Sequence, residues 1–311
     1  MTEVVITEFM DPDGVARLSR HFRVHYDPTL VDQPDALAGL LADARALVVR
    51  NRTRVTGELL DTGPNLVCVG RLGVGLDNID LGACEARGLP VYPATGANVV
   101  SVAEYAVTMA MVLLREGAYG AGTAVMAGEW PRERLVGREA LGKVLGLVGF
   151  GAIGQATAHR AAALGLRVIA HDPHIPASDP AWALAERREL AALLAEADAV
   201  SLHVPLTPAT RHLIRRERIA AMKPGAVLIN TARGGVVDEA ALVEALSAGH
   251  LAGAALDVFE TEPLTAAAAA KFEGLGNVIL TPHIAGITRE CNARIGEIVA
   301  DKVIAHLESA A

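Results

Sequence analysis

The chain has 311 residues, and 51% of them are hydrophobic, which is enough to build a sizeable folded core. Its formal net charge of -8 argues against nucleic acid as a partner, because phosphate binding requires a surplus of basic side chains. The three cysteines lie far apart and form no C-x-x-C pair, so neither a disulfide framework nor a cysteine-based zinc site is expected. The reducing cytoplasm is the expected compartment.

Short apolar segments alternate with helical ones in the first third of the chain, which predicts a parallel sheet covered by helices. Strands are predicted at residues 4–7, 23–26, 46–49, 66–69 and 90–92. A helix is predicted from Ser101 to about Arg115, and Ser101 and Glu104 have the spacing of a capping box at its start. The apolar part of this helix, residues 102–114, is too short to span a bilayer, so no membrane association is expected.

A second series of strands begins after residue 143, with predicted members at 144–148, 167–170, 199–204, 226–229, 254–258 and 278–281. Six strands joined by helical crossovers predict a doubly wound, Rossmann-type parallel sheet, so the chain is expected to contain two α/β units of unequal size. A last helix is predicted at 291–307, where apolar side chains recur at helical spacing, and it is expected to pack on the first unit.

The segment after the strand at 144–148 has the glycine pattern of a dinucleotide-binding loop. Gly149 would permit the tight turn, Gly151 would let the backbone approach a pyrophosphate, and Gly154 would allow close packing of the next helix. The cofactor contacts expected in this loop are Gly149, Phe150, Gly151, Ala152, Ile153 and Gly154. Asp172 follows the next strand, where a carboxylate binds ribose hydroxyls and repels a 2′-phosphate, so NAD is expected rather than NADP. The alternative to a dinucleotide-binding loop is an ordinary glycine turn beside a surface aspartate.

Three ionisable residues follow apolar strands of the second series, at the sheet edge where open α/β sheets bind ligands. Arg233 follows the strand at 226–229, Glu262 the strand at 254–258 and His283 the strand at 278–281. An arginine holds a carboxylate through two hydrogen bonds, a histidine donates protons near neutral pH, and a carboxylate favours the charged imidazole. Beside NAD, these groups favour hydride transfer to a 2-keto acid, whereas each residue alone has the ordinary alternative of a surface charge or a hydrogen-bonded side chain. No metal site is expected.

Eight short segments, taken together, resemble the D-isomer-specific 2-hydroxyacid dehydrogenase family over nearly the whole chain. They are GVGLDNID at 73–80, SVAE at 101–104, GFGAIG at 149–154, SLHVPLT at 201–207, MKPG at 222–225, NTARGG at 230–235, LDVFETEP at 256–263 and TPHIAG at 281–286. The resemblance implies that Arg233, Glu262 and His283 are the catalytic residues. Glu260 is a nearby competitor, but the glutamate before the proline is the one that matches. The resemblance also implies that Asp257 binds the nicotinamide carboxamide.

The same resemblance implies a domain organisation and a substrate-binding loop. A flavodoxin-like substrate domain of residues 1–97 and 287–311 is expected with an NAD-binding Rossmann domain of residues 98–286, a cleft that closes over the substrate, and assembly as a homodimer. Backbone amides at Leu72, Gly73 and Val74 are expected to bind the substrate carboxylate. Further cofactor contacts are expected at His203, Val204, Pro205, Thr231 and Ala232. For His203 a structural role is equally open.

Arginines near the substrate loop bear on the identity of the 2-hydroxy acid or 2-keto acid. Arg50 and Arg52 follow the strand at 46–49 and Arg71 precedes the glycine loop, and the resemblance implies that Arg50 holds a second anion. 3-Sulfolactate is the favoured substrate, with 3-phosphoglycerate and hydroxypyruvate or glyoxylate as alternatives, while structural ion pairs are the alternative role for these arginines. Two other functions remain as alternatives. One is formate dehydrogenase activity, but formate dehydrogenases have glutamine at the position of Glu262, so this glutamate argues against it. The other is a nucleotide-sensing scaffold without activity.

Overall fold

The structure of the chain, a computed structural model, describes residues 2–309, which form two units. Unit 1 combines residues 2–98 with residues 287–309, and unit 2 consists of Val99–Gly286. The first break falls between residues 98 and 99, one residue after the predicted one, and the second falls between residues 286 and 287.

Both units consist of parallel strands connected by helices. The strands are β1 (Val4–Ile6), β2 (Val24–Tyr26), β3 (Ala46–Val49), β4 (Cys68–Arg71), β5 (Val91–Pro93), β6 (Val144–Val148), β7 (Arg167–His171), β8 (Glu186–Arg187), β9 (Ala199–Leu202), β10 (Val227–Asn230), β11 (Gly253–Leu256) and β12 (Val278–Leu280). The α-helices are α1 (Pro12–Ser19), α2 (Pro34–Leu41), α3 (Gly57–Asp61), α4 (Leu81–Ala86), α5 (Val99–Leu114), α6 (Gly122–Met126), α7 (Ala152–Ala163), α8 (Leu190–Glu196), α9 (Arg216–Ala220), α10 (Glu239–Ser247), α11 (Ala266–Ala269) and α12 (Arg289–Ser309). Short 3-10 helices are found at Leu30–Asp32, Ala118–Gly120, Arg132–Leu135, Pro180–Leu184 and Ala270–Phe272.

The sheet of unit 1 has the strand order β2-β1-β3-β4-β5, and every neighbouring pair is parallel. This is the flavodoxin-like order expected for the smaller unit. The strands are largely apolar because helices cover both faces of the sheet. Leu18 of α1 and Val299 of α12 lie in the core on one face, whereas Leu41 of α2 and Cys84 of α4 lie in the core on the other.

The sheet of unit 2 has the order β12-β11-β10-β9-β6-β7-β8 and is also parallel throughout. It is the predicted doubly wound sheet, with α5 and α7 on one face and α8, α9 and α10 on the other. The direction of winding reverses between β6 and β9, and ligands bind at the carboxyl ends of strands beside such a switch point. The glycine loop follows β6, so it lies at this point.

Two predictions for unit 2 differ from the structure. The sheet has a seventh strand, β8, whose two residues are charged and exposed, so no apolar pattern marks it in the sequence. The predicted capping box at Ser101 and Glu104 is wrong, because α5 begins at Val99 and both residues lie inside its first turns. Glu104 forms an ion pair with Arg160 of α7 at 3.5 Å instead.

The last helix, α12, lies in unit 1, as its apolar pattern predicts. It packs along α1, where Arg17 is hydrogen-bonded to Asp301, and against β4, where a Cβ on Gly70 would lie 2.9 Å from Cγ1 of Val299. This packing brings Asn292, near the start of α12, within hydrogen-bonding distance of the residue that follows β3.

The three thiols, Cys68, Cys84 and Cys291, are free and buried. Burial raises the pKa of Cys68 to about 12, so this thiol stays protonated. Among the described residues, none of the helices has both the length and the apolar character that a bilayer crossing requires. In the same part of the chain, His, Cys, Asp and Glu side chains form no group suited to a metal ion.

Candidate active site

The glycine loop connects β6 to α7 and has the conformation that its three glycines predict. Gly149 has a φ of 93°, and a Cβ there would lie 2.5 Å from the carbonyl oxygen of His203, so only glycine fits. A Cβ on Gly154 would lie 2.5 Å from the carbonyl oxygen of Gly149, because the helix packs closely on the loop. A Cβ on Gly151, in contrast, would meet nothing within 4 Å, so the absent side chain leaves open space at the start of α7.

The N-terminus of α7 has the features of an anion-binding site. Gly151 is its N-cap, and no side chain of the described residues caps the helix, so the first amides and the positive end of the helix dipole are available to phosphate. Ala152 and Ile153 are the first two residues of this turn. Phe150 differs from its neighbours, because its side chain is fully buried and stacks on Trp182 at a ring distance of 5.1 Å.

Asp172 follows β7 and is tied to the glycine loop. Its Oδ2 accepts a hydrogen bond from the amide of Phe150 at 2.9 Å, and its Oδ1 accepts one from the amide of His174 at 2.9 Å. Each carboxylate oxygen has a further lone pair, so ribose hydroxyls remain possible donors to it. The fixed negative charge disfavours a 2′-phosphate at this position.

The segment after β9 contains His203, Val204 and Pro205. The His203 amide donates to the carbonyl of Val148 at 2.8 Å, and its Nε2 lies 3.1 Å from the hydroxyl of Ser201. Burial lowers the pKa of His203 to about 4, so the ring is neutral at physiological pH, which favours the structural alternative for this residue. Val204 lies beside Gly149, since its Cγ1 would be 2.9 Å from a Cβ there, and Pro205 is exposed.

The segment after β10 contains Thr231 and Ala232. The Ala232 amide donates to Oδ1 of Asn230 at 3.1 Å. The Thr231 hydroxyl is buried, and it has no hydrogen-bond partner among residues 2–309, which is uncommon for a buried polar atom. The unsatisfied hydroxyl, the open space at Gly151, the uncapped helix and the fixed Asp172 together fit a dinucleotide.

Glu262 and His283 follow the neighbouring strands β11 and β12 and form a hydrogen-bonded pair. Oε2 of Glu262 lies 2.8 Å from Nδ1 of His283, and Oε1 accepts a hydrogen bond from the amide of Phe259 at 3.0 Å. The His283 side chain is half exposed, and its Nε2 has no hydrogen-bond partner within the described part of the chain. This nitrogen is therefore accessible to a ligand.

The pKa values of the pair favour its charged form. The hydrogen bond with Glu262 raises the pKa of His283, although burial opposes this rise. Burial acts to raise the pKa of Glu262, but the hydrogen bonds with His283 and the Phe259 amide hold it below its ordinary value. A protonated imidazole beside an ionised carboxylate is the expected state near neutral pH.

Asp257 holds the loop that carries His283. His283 has a φ of 56°, a conformation that costs a non-glycine residue about 1–3 kcal/mol unless its surroundings fix it. The buried carboxylate of Asp257 accepts hydrogen bonds from the hydroxyl of Thr281 at 2.6 Å and from the amides of Ile284 and Ala285, both at 2.8 Å. A carboxylate has about four acceptor positions, so one remains for the predicted carboxamide contact.

Tyr105 of α5 extends this network. Its hydroxyl lies 2.6 Å from Oγ1 of Thr281. Because the carboxylate of Asp257 only accepts, Thr281 donates to Asp257, and Tyr105 therefore donates to Thr281. Burial raises the pKa of Tyr105, which keeps its hydroxyl protonated and able to donate.

Arg233 follows β10, so the three predicted catalytic residues come from the ends of three adjacent strands. It donates through Nη1 to the preceding carbonyl oxygen at 2.7 Å. A Cβ on Gly234 would lie 1.6 Å from the carbonyl oxygen of Phe259, so this glycine permits close contact between the segments after β10 and β11. The charge of Arg233 contributes to the lowered pKa of Glu262 and opposes the raised pKa of His283.

In unit 1, the predicted substrate loop follows β4, and two of its three predicted amides are already engaged. The Leu72 amide donates to the carbonyl of Val49 in β3 at 2.7 Å. The Gly73 amide donates to the carbonyl of Arg71 at 2.8 Å. The amides of Val74 and Gly75 have no partner among residues 2–309. The expectation of three available amides at Leu72, Gly73 and Val74 is therefore corrected, because Leu72 continues the pairing of the sheet.

The three arginines predicted near the substrate loop, Arg50, Arg52 and Arg71, differ in their partners. Arg52 forms an ion pair with Asp32 on the surface, and Arg71 is buried with its Nη1 donating to the carbonyl of Leu72 at 2.7 Å. These contacts favour the structural alternative for Arg52 and Arg71. Arg50 forms no ion pair with any described residue, and its guanidinium hydrogen-bonds to neutral oxygen atoms.

Four residues that hold these groups were not predicted from the sequence, namely Glu8, Tyr105, Thr281 and Asn292. Glu8 follows β1 at the carboxyl edge of its sheet, and this strand-end position is the signal that identified Arg233. Thr281 lies in a segment that resembles the family, two residues before His283. Tyr105 and Asn292 lie on helices far along the chain from their partners, and no local pattern marks them.

Comparisons with known proteins identify the family to which the chain is similar. The protein-family model for the NAD-binding domain of D-isomer specific 2-hydroxyacid dehydrogenases matches residues 107–285. The chain is 57% identical over 304 residues to an (S)-sulfolactate dehydrogenase of Chromohalobacter salexigens, with 97% of each chain covered. It is 43% identical over 275 residues to a hydroxypyruvate reductase of Thermotoga maritima, with 88% of this chain and 89% of the relative covered.

Among solved structures, the chain resembles a D-lactate dehydrogenase from Aquifex aeolicus complexed with NAD and lactic acid. The TM-score is 0.83 and the identity is 30%, with 99% of this chain and 96% of that chain covered. The predicted family and cofactor are confirmed, and the scaffold without activity is not supported. The chain is an NAD-dependent oxidoreductase and belongs to the D-isomer-specific 2-hydroxyacid dehydrogenase family.

Proposed function

We propose that Arg233, Glu262 and His283 are the catalytic residues of a reversible reduction of a 2-keto acid to a D-like 2-hydroxy acid. A reduced nicotinamide, when bound, would supply the hydride for the keto carbon. Arg233 holds the substrate and polarises its carbonyl, and protonated His283 donates the proton from Nε2 to the developing alkoxide. Glu262 keeps the imidazole oriented through Nδ1 and favours its charged form.

Residues of unit 1 are proposed to bind the two ends of the substrate. The amides of Val74 and Gly75, which have no partner within residues 2–309, are suited to the carboxylate. Arg50, whose guanidinium has no bonded carboxylate among the described residues, is suited to a second anion. In unit 2, the cofactor is proposed to bind through the amides at the start of α7, through Asp172 and through the Thr231 hydroxyl.

The favoured substrate pair is 3-sulfolactate and 3-sulfopyruvate. The charge of Arg50 is the observation that carries this choice, because a lactate-type substrate would leave it without an anionic partner. The relative from Chromohalobacter salexigens, named for (S)-sulfolactate, supports it. The second candidate is hydroxypyruvate, which the relative from Thermotoga maritima favours.

The test is NADH oxidation by the purified enzyme with 3-sulfopyruvate, 3-phosphohydroxypyruvate, hydroxypyruvate, glyoxylate and pyruvate as separate substrates. We expect the highest kcat/KM for 3-sulfopyruvate and a product of D-like configuration. For sulfolactate this configuration carries the S label, because sulfur changes the substituent priority. A higher kcat/KM for hydroxypyruvate or glyoxylate would replace the second-anion assignment with that of a general 2-keto acid reductase.

A cytoplasmic homodimer is proposed as the working form. Large apolar side chains between residues 119 and 141 of unit 2 are 71% to 83% exposed, and a second copy of the chain would cover them. They are Tyr119, Met126, Trp130, Val136 and Leu141. The mass in solution, measured by light scattering, should be twice that of the chain and should fall to a single chain in Trp130→Glu. A monomeric wild-type protein would refute the proposal.

A further inference from the structure

The guanidinium of Arg50 is held in place by neutral groups. Its Nη2 donates to Oδ1 of Asn292 at 2.9 Å, and its Nη1 donates to the carbonyl of Phe9 at 3.4 Å. The guanidinium carbon also lies 5.5 Å from the centre of the Phe9 ring, a cation–π distance. These contacts orient the side chain and form no ion pair within the described residues. Burial lowers the pKa of Arg50, and the nearby charge of Glu8 opposes this effect.

The backbone around Arg50 is fixed by one buried carboxylate. Oε1 of Glu8 accepts hydrogen bonds from the amides of Arg50 and Thr53, both at 2.9 Å. Its Oε2 accepts hydrogen bonds from the amides of Asn51 at 3.2 Å and Arg52 at 2.9 Å. Four consecutive amides therefore point at a single side chain that is 4% exposed.

The same turn is also held through its carbonyl groups. Nδ2 of Asn78 donates to the carbonyl of Thr53 at 2.6 Å and to the carbonyl of Arg50 at 3.3 Å. Burial acts to raise the pKa of Glu8, but the amides hold it below its ordinary value, so the carboxylate is charged at neutral pH. The turn at residues 50–53 is therefore fixed by hydrogen bonds to its amides and to its carbonyl groups.

This arrangement determines which groups of the turn remain available to a ligand. Successive backbone amides form a concave site that commonly binds phosphate or sulfate. Here Glu8 occupies that site, so an anionic ligand cannot use these amides. Anion binding at the turn is thereby confined to the arginine side chains, and Arg52 is already paired with Asp32.

We propose that Glu8 and Asn292 are positioning residues that hold Arg50 for the second anion of the substrate and thereby set the preference for a dianionic 2-keto acid. This proposal rests on the assignment of Arg50 given under Proposed function. An arginine side chain loses rotamer entropy when it is fixed. Asn292 and Glu8 fix it before the ligand arrives, so that cost does not fall on substrate binding.

The test compares 3-sulfopyruvate with hydroxypyruvate as substrates of Asn292→Ala. The readout is the ratio of kcat/KM for 3-sulfopyruvate to kcat/KM for hydroxypyruvate, because general damage lowers both values and leaves the ratio unchanged. We expect the ratio to fall about 3- to 10-fold through a higher KM for 3-sulfopyruvate, because the variant loses one hydrogen bond that orients Arg50 but keeps the contact between Arg50 and the anion. Asn65→Ala is the matched control, since this exposed asparagine of unit 1 bonds to the carbonyl of Ala42; its ratio should equal that of the wild type.

A double variant separates the positioning role of Asn292 from the anion-binding role of Arg50. In the Arg50→Ala background, Asn292→Ala should change the ratio no further. An unchanged ratio in the single Asn292→Ala variant, when Arg50→Ala alone lowers it, would overturn the positioning role and leave the proposed function intact. An unchanged ratio in Arg50→Ala would overturn the assignment of Arg50 to a second anion, on which the positioning role rests.

Glu8→Asp is the second variant, because it keeps the charge but shortens the reach to the four amides. We expect the ratio to fall in this variant as well. A soluble Glu8→Asp enzyme with the wild-type ratio would remove Glu8 from the proposal. If that variant does not fold, the Asn292→Ala result decides the proposal.

Discussion

The carboxylate of Glu262 lies 2.8 Å from Nδ1 of His283, and this contact leaves Nε2 as the nitrogen that faces no protein partner among the described residues. A carboxylate at Nδ1 stabilises the imidazolium and fixes which nitrogen delivers the proton. The pair thus defines both the protonation state and the direction of proton transfer.

The pH dependence of the reaction should change when this pair is altered. The pKa of His283 is raised by Glu262, so the proton donor stays charged to higher pH, and reduction is lost as pH rises through the raised pKa. Glu262→Gln removes the charge that raises the pKa. The alkaline limb of kcat/KM for keto acid reduction should therefore move to lower pH.

Glu260→Gln is the matched control for this measurement. Glu260 is two residues away, and its Oε1 lies 3.2 Å from Nε2 of His212 rather than near His283. The alkaline limb should stay at its wild-type position in this variant. If Glu262→Gln also left the limb in place, the assignment of His283 and Glu262 as an acid–carboxylate pair would be contradicted.

Arg233→Ala should impair substrate use while NADH binding stays near normal. A bidentate contact consists of two hydrogen bonds between charged groups, so kcat/KM for the keto acid should fall by about 100-fold or more. Steady-state kinetics and NADH titration by fluorescence measure the two effects separately. Arg218→Ala, which removes an arginine bonded to the carbonyl of Leu213 at 2.7 Å, is the control. Loss of NADH binding in Arg233→Ala would point to a cofactor role instead.

Asp172→Ala should change the choice of cofactor. The carboxylate is held by two amides beside the glycine loop, where it favours a ribose hydroxyl over a 2′-phosphate. The preference for NADH over NADPH should fall by about 10- to 100-fold, which corresponds to hydrogen bonds with a charged acceptor. Asp179→Ala, which removes a cap from a 3-10 helix, should keep the wild-type preference. An unchanged preference in Asp172→Ala would show that other residues select the cofactor.

The main elements of the fold follow from local patterns in the sequence. Apolar runs between helical segments mark the strands of both sheets, because parallel strands buried on both faces contain few polar residues. The edge strand β8 has no such pattern, since its two residues are charged and exposed. The predicted start of α5 at Ser101 is wrong. Ser101 and Glu104 have the spacing of a capping box, but they lie inside a helix that begins at Val99.

The proposed catalytic residues could be predicted because each one lies just after an apolar strand. The groups that hold Arg50 could not be predicted, because their contacts join residues far apart in the chain. Glu8 binds amides 42 to 45 residues away, and Asn292 binds Arg50 across 242 residues. Spacing within one segment carries no information about such pairs. The same limit applies to Leu72 and Gly73, whose amides are engaged by contacts that only the folded sheet reveals.

Arg50 is proposed to recognise a second anion on the 2-keto acid substrate of this dehydrogenase. The most direct test is kcat/KM of Arg50→Ala and of the wild type with 3-sulfopyruvate and hydroxypyruvate, measured by NADH oxidation. We predict that the variant loses about 10- to 100-fold more activity with 3-sulfopyruvate than with hydroxypyruvate, because a charged hydrogen bond is removed from one substrate only. Equal losses with both substrates would contradict the account and make Arg50 a structural residue.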